Sequence, residues 1–280
     1  MTSKYPPISA FFGEGESISS GLELMQAHSA WELSRGAGTD LVVLGSGMDF
    51  GHEDIRVAPS HRLSFSASEP DPGDHNGNGT AIGGLCASPQ NGVGIIGAAP
   101  EATLISAKVL DGSGSGRVED AIGALAWCID ARPKVVVISF GTAAPLAPEF
   151  GAKLDQLITL GSVVIAGTKG SEGTPVYPAA HPGVISVAHP DSRSNADLRC
   201  WTGSLRVPKA GGGYDNQFLG CGPAALVAGA AAVLVTLNNT LNARSICDVL
   251  QKTAFDHVIN GYKYHQVDMG AAARSIAGGG

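Results

Sequence analysis

The apolar positions of this chain fall into two kinds of run. Short, nearly uninterrupted stretches of β-branched and aliphatic residues occur at Leu41–Leu44, Thr103–Leu110, Lys134–Ser139, Ser162–Ala166 and Val184–Val187. They lack the in/out alternation of a half-exposed strand and fit strands covered on both faces. Between and after them lie longer segments whose apolar residues recur every three to four positions: Leu22–Leu33, Val118–Ala131, Glu149–Leu160, Ala224–Leu237 and Ala243–Lys252. These predict helices. Strands alternating with helices imply an α/β chain with a mainly parallel central sheet and helices on both faces. No internal repeat or charged linker interrupts the pattern, so residues 1–280 are expected to form one domain, with 1–20 as an N-terminal arm and 278–280 as a disordered tail.

Composition narrows the function classes. With 44% hydrophobic and 15% charged residues the chain can bury a large core, and its 39 glycines beside only 6% aromatics point to tight turns and close packing of small side chains. The net charge of −7, without any Lys/Arg run, excludes nucleic acid as the expected partner. The most apolar run, Ala224–Leu237, is too short to cross a bilayer, so no membrane partner is expected either. The opening Met1-Thr-Ser-Lys-Tyr-Pro-Pro lacks the pattern of a secretory signal, and a cytoplasmic protein is expected. The five cysteines, Cys86, Cys128, Cys200, Cys221 and Cys247, form neither a disulfide framework nor a zinc-type pair. Cys86, Cys128 and Cys247 fall inside helical segments, whereas Cys200, beside Trp201, is expected to be partly exposed.

Motifs carry the more specific signal. In chain order they are Leu41-Val-Val-Leu-Gly-Ser-Gly-Met-Asp49, Asp74-His-Asn-Gly-Asn-Gly-Thr80, the run Val93–Leu110 (VGIIGAAPEATLISAKVL), Gly112-Ser-Gly-Ser-Gly116, Ile138-Ser-Phe-Gly141, Val163-Val-Ile-Ala-Gly-Thr168, Tyr177-Pro-Ala179 with Val184-Ile-Ser-Val187, and Gly220-Cys-Gly-Pro-Ala-Ala-Leu-Val-Ala-Gly-Ala-Ala-Ala232. In order and spacing, from about Gly21 to Ala273, these resemble the subtilisin-like serine protease family (subtilases, peptidase S8). The resemblance implies a three-layer subtilisin-like fold. It also implies a catalytic Asp, His and Ser and an oxyanion-binding Asn, and at those four positions this chain carries Gly45, Asn78, Cys221 and Thr168.

Each substitution removes a function. Glycine cannot orient an imidazole, and a carboxamide cannot take a proton near neutral pH. A threonine hydroxyl is shorter than the amide it replaces, and the attacking hydroxyl is gone. Asp49, Asp74 and His75 lie near these positions but are expected to serve the neighbouring turns, and His52, His181, His189 and His265 are expected to be solvated or hydrogen-bonded at the surface. The resemblance therefore implies a pseudoprotease that lacks conventional proteolysis.

Two uses of the cleft stay open. A groove between Gly114–Val118 and Ser139–Thr142, with Gly114, Ser115, Gly116, Ser139, Phe140 and Gly141 as its contact residues, would hold an extended peptide or a partner protein. Small residues on its edge would leave backbone groups free, or would merely satisfy turn geometry. Alternatively, Cys221, heading the buried helix, would supply a thiol nucleophile for acyl-transfer, cyclisation or other biosynthetic chemistry on a small-molecule substrate. The cavity would then be lined by Cys221, Thr168, Asn78 and Ser46. An inert small residue in the core is the plainer reading of Cys221. No cofactor and no metal ligand is predicted, the family's structural calcium is not readable from scattered loop ligands, no pro-segment is expected, and the oligomeric state is not encoded in any motif.

Overall fold

The computed structural model describes residues 15–168, 174–192, 194–203, 205–217, 219–259 and 261–278. Residues 1–14 of the expected arm and Gly279–Gly280 of the expected tail lie outside the described residues. The strands are β1 (Glu16–Ser17), β2 (Asp40–Gly45), β3 (Arg62–Ser64), β4 (Gly94–Ile95), β5 (Thr103–Lys108), β6 (Val135–Ile138), β7 (Val163–Gly167), β8 (Ile185–Ala188), β9 (Leu198–Arg199), β10 (Leu205–Pro208), β11 (Tyr214–Gln217), β12 (Phe255–Ile259) and β13 (Tyr262–Gln266). The helices are α1 (Ser20–Leu24), α2 (Ala27–Trp31), α3 (Asn78–Ala87), α4 (Val118–Ala131), α5 (Pro148–Thr159), α6 (Gly222–Leu237), α7 (Ala243–Thr253) and α8 (Met269–Ala277).

Nine strands form the central sheet in the order β12-β13-β9-β8-β7-β6-β2-β5-β3, parallel except for the antiparallel edge pair β12–β13. The middle strands are apolar on both faces because both faces are covered. Val43, Val137 and Ile165 pack toward the layer of α3, α6 and α8. Val42, Val136 and Val164 pack toward α4 and α5. This is the three-layer α/β arrangement read from the alternation of runs.

Helix α6 shows why the chain is rich in small residues. From Gly222 to Val235 every residue is buried. A Cβ on Gly229 would stand 2.4 Å from Ala98 Cβ and 2.9 Å from Cys86 O, so only glycine lets α6 approach this closely. Among the described residues no helix is long and apolar enough to cross a membrane.

Several expectations need correction. The predicted helix Leu22–Leu33 is broken, because Gln26 adopts a left-handed conformation (φ 56°, ψ 39°) between α1 and α2. The break turns Met25 O outward to accept the N–H groups of Met269 and Gly270 at 2.8 and 3.2 Å, docking the start of α8. The strand predicted to Leu110 stops at Lys108, since the N–H groups of Val109 and Leu110 both turn to Gly45 O (2.8 and 3.1 Å). Gly278, expected to begin a loose tail, closes α8 through its N–H on Arg274 O. Cys200 is fully buried against Met25, its Sγ 3.6 Å from the thioether sulfur.

Candidate functional site

The site lies at the carboxyl ends of the central strands, where parallel α/β sheets present their ligands. Leu44 is in register with Ile138, and Ile138 with Ala166. The next residues, Gly45, Ser139 and Gly167, therefore stand in one row across β2, β6 and β7. Gly45 has Lys108 as its partner on the other side.

At the β2 end of this row, a Cβ on Gly45 would meet Ser139 Oγ at 2.5 Å. The Ser139 hydroxyl takes that space while donating to Leu44 O (2.9 Å). Asn78, the first residue of α3, sits half-buried beside it, its Nδ2 3.5 Å from Ser139 O. The carboxylate of Asp74 fixes where α3 begins. Buried, it accepts the N–H groups of Asn76, Gly77 and Thr80 and the hydroxyls of Ser46 and Thr80, all within 3.0 Å. These bonds satisfy donors that a helix start leaves orphaned. Gly79 then slides under the β2 turn, where a Cβ would fall 2.0 Å from Gly47 O. Ser46 is consumed here as well, donating to Asp74 and accepting the Gly79 N–H (3.0 Å). It is buried in this network and lines none of the cavities described below, contrary to its expected place in the cleft.

At the β7 end, Thr168 is buried, with its N–H on Val187 O (2.9 Å). With Val176, Ala179, Ser186, Ser194 and Asn195 it lines a cavity of about 210 Å³. Cys221 is the residue before the first turn of α6 (φ −95°, ψ 2°) and is half-buried, with Pro223 inside that turn. Its carbonyl accepts the Ala225 N–H at 3.0 Å. A Cβ on Gly167 would sit 3.2 Å from Cys221 Cα and 3.3 Å from Sγ, so Gly167 lets the head of α6 close on the strand end. The structure thus groups Gly45, Asn78 and Ser139 on one side and Thr168 and Cys221 on the other. The sheet register joins the two groups. Among the other cysteines, burial pushes the thiols of Cys128 and Cys200 up to about 12 and that of Cys86 higher still. Cys247 is raised to about 11, by burial first and by Asp197 and Asp248 second.

Other acid and base groups are engaged elsewhere. Asp49 caps Gly51 N–H and Gly211 N–H, each at 2.9 Å. His75 stands between Glu69 (3.2 Å) and Asp71 (3.3 Å). His52 is buried rather than at the surface. Its Nδ1 accepts the Asp54 N–H (3.1 Å), which leaves the proton on Nε2 to donate to Gly213 O (2.7 Å). His181, His189 and His265 pair with Asp155, Asp191 and Asp256. Among the described residues no group of three His, Cys, Asp or Glu side chains is placed to hold a metal ion.

One charged residue escapes the sequence pattern. Lys108 is fully buried beside Gly45, with Nζ on Gly73 O (2.7 Å) and on Glu69 (2.6 Å). Its hydrogen bond holds the Glu69 carboxyl below its ordinary range. A lysine inside the apolar run Thr103–Leu110 was the available sign of it.

A cavity lies between the two expected segments, with a different edge from the one expected. It has a volume of about 530 Å³ and is lined by Gly114, Gly116 and Val118 on one side and Phe140 and Gly141 on the other, over a floor that includes Phe150. Neither Ser115 nor Ser139 lines it. The expected free backbone is largely spent. Asp111 takes the N–H groups of Ser113 (2.9 Å), Gly114 (2.9 Å) and Ser115 (3.1 Å), and its own N–H donates to Ser115 O (2.7 Å). Gly114 has φ +79°, and a Cβ on Gly116 would fall 2.3 Å from Val109 O, so these glycines answer to turn geometry and packing first. Across the groove, Thr142 and Tyr177 exchange both backbone hydrogen bonds (2.8 Å each).

Comparison with known proteins agrees with this layout. The model of the subtilase family matches residues 36–207. Subtilisin E of Bacillus subtilis (strain 168) is 30% identical over 258 residues, 85% of this chain, and the chain spans 66% of that relative's length. Subtilisin of Bacillus pumilus is 30% identical over 78% of this chain and 84% of its own length. Subtilisin Savinase of Lederbergia lenta is 29% identical over 85% of this chain and 92% of its own length. Since the family model spans more than half of the chain and takes in the strands that carry the row Gly45, Ser139 and Gly167, this chain belongs to the subtilase family.

Proposed function

We propose that this chain is a non-proteolytic subtilase that binds an extended peptide, or an exposed segment of a partner protein, through the groove beside the former catalytic row. The observation that carries the reading is the state of the β2 end of that row. The Ser139 hydroxyl takes the space of a side chain at Gly45, and Asn78, which cannot accept a proton, faces Ser139 O. Without a base or its orienting carboxylate, an amide cannot be cleaved by the serine route. The groove supports binding by side-chain burial more than by added strand pairing, because Asp111 and Tyr177 already use much of the edge backbone. A bulky apolar residue of the bound peptide, seated against Phe140, Leu146 and Phe150, is the anchor. The five cysteines, none in a disulfide, support a reducing, cytoplasmic setting.

The test is a titration of fluorescent peptides carrying Phe or Leu. The expected outcome is saturable binding, intact peptide afterwards by mass spectrometry, and loss of binding in Val118→Trp, which fills the groove mouth. Cleavage of the peptide, or unchanged binding in Val118→Trp, would overturn the reading.

A second reading rests on Cys221. A half-buried thiol at the head of a 16-residue helix, next to the strand end that leads into the 210 Å³ cavity at Thr168, suits acyl transfer from an activated donor such as a thioester. Rapid, pH-dependent alkylation of Cys221, with loss of the biological activity in Cys221→Ala, would favour this reading over binding alone.

A further inference from the structure

The sheet nearly parts between β9 and β13. The two strands share a single residue pair, Arg199 with Gln266, whereas β12 and β13 share five. Beside that one pair lies a cavity of about 580 Å³ that shares no lining residue with the groove or with the cavity at Thr168. Its apolar body comes from Leu198, Tyr264 and Val267, and its charged groups are Arg199, Lys263, His265 and Asp197. A volume of this size is in the range that holds small organic ligands.

Two features show what the cavity recognises. First, the Arg199 guanidinium is fixed but not neutralised. It donates to the carbonyls of Ser192 (2.8 Å), Ser194 (2.8 Å) and His189 (3.4 Å) and forms no ion pair among the described residues. These three bonds use three of its five N–H donors and leave Nε–H and one Nη2–H, a pair suited to two parallel bonds to a carboxylate. Second, Tyr264 is only 6% exposed, and its hydroxyl has no hydrogen-bond partner among the described residues. A buried hydroxyl left unpaired is costly unless a ligand or water supplies the partner. Two carboxylates stand at the site, Asp197 in its lining and Asp256 paired with its lysine and histidine. Asp197 accepts the N–H and O–H of Ser186 (2.8 and 2.6 Å), and Asp256 serves Lys263 and His265 (2.5 and 3.0 Å).

From this geometry we infer a second binding site, for a small organic acid with an aromatic or aliphatic body. Its carboxylate lies against Arg199, with Lys263 at the rim and the Tyr264 hydroxyl as a further donor, and its apolar part lies on Leu198, the Tyr264 ring and Val267. The site is independent of the proposed peptide groove.

The test uses the full chain with 1-naphthoate and its uncharged analogue 1-naphthamide, followed by amide and methyl NMR shifts. Naphthoate is expected to shift Leu198, Tyr264 and Val267 saturably, with a Kd of about 1 mM or tighter. Naphthamide should bind about tenfold more weakly, since it lacks the charge-assisted contact. Lys263→Gln, at an exposed position, should weaken naphthoate and leave naphthamide unchanged. Ala254→Trp, at the cavity wall, should abolish both while the spectrum elsewhere stays native. Arg199 also staples its own loop, so it is left intact. Equal binding of acid and amide, no saturable shift in the native chain, shifts centred on Phe140, or full binding retained in Ala254→Trp would each overturn the inference.

Discussion

The two ends of the row Gly45, Ser139 and Gly167 differ in what their polar groups do. Around Gly45 and Asn78 nearly every polar group is spent on structure: Ser46, Thr80 and three backbone N–H groups on Asp74, the Ser139 hydroxyl on Leu44 O, and Lys108 on Glu69 and Gly73 O. Around Thr168 and Cys221 a half-buried thiol heads a helix, beside a strand end that opens on a cavity. Both ends are built on close backbone approaches, Gly79 under the Gly47 carbonyl and Gly167 against Cys221. Packing and chemistry are therefore held by different residues.

The sharpest way to break the β2 end is Asp74→Ala. It would strand five donors, most of them buried, and is expected to cost about 4 kcal/mol, read from the urea midpoint. Gly167→Ala strikes the other end more gently. Its new methyl carbon, 3.2 Å from Cys221 Cα, forces a shift of a few tenths of an ångström, with an expected loss of roughly 1–2 kcal/mol and a changed alkylation rate at Cys221. Alkaline titration adds a bulk readout. The thiols of Cys128 and Cys200 are pushed by burial from 9.0 to about 12, so the unfolded chain ionises first. Stability is therefore full below about pH 9 and falls as pH rises toward 12, measurable as a declining Tm. The smallest effect is expected at Gly114→Ala on the groove edge. Its φ of +79° makes a side chain cost about 1 kcal/mol, and the strain should weaken peptide binding without reaching Cys221.

Much of this was legible in the chain itself. The β-branched runs of β2, β6 and β7 and the helical spacing of α4 and α5 carry the layered fold, because burial on one or two faces writes itself into the period. Helix α3 carries no such period: all nine residues after Asn78 are buried, so no polar face marks it. The α1–α2 break at Gln26 was illegible because the contact it goes with, Met25 O on the start of α8, lies far along the chain. In the site, the four positions that the resemblance marks, Gly45, Asn78, Thr168 and Cys221, are plain in the motifs. The roles of Ser139, Lys108 and Asp111 depend on what stands opposite them in space. The groove motif likewise reads as open backbone until Asp111 is seen to take the N–H groups of Ser113, Gly114 and Ser115.

The central claim, that the scaffold persists while proton transfer has been lost, is tested most directly by rebuilding the chemistry. The variant carries Gly45→Asp, Asn78→His, Thr168→Asn and Cys221→Ser, with the Ser139 hydroxyl rotating off Leu44 O to admit the new carboxylate. Hydrolysis of a chromogenic peptide is expected to be at the buffer background for the native chain and to rise by about three powers of ten or more in the quadruple variant. Peptide hydrolysis by the native chain that survives Cys221→Ala would contradict the account.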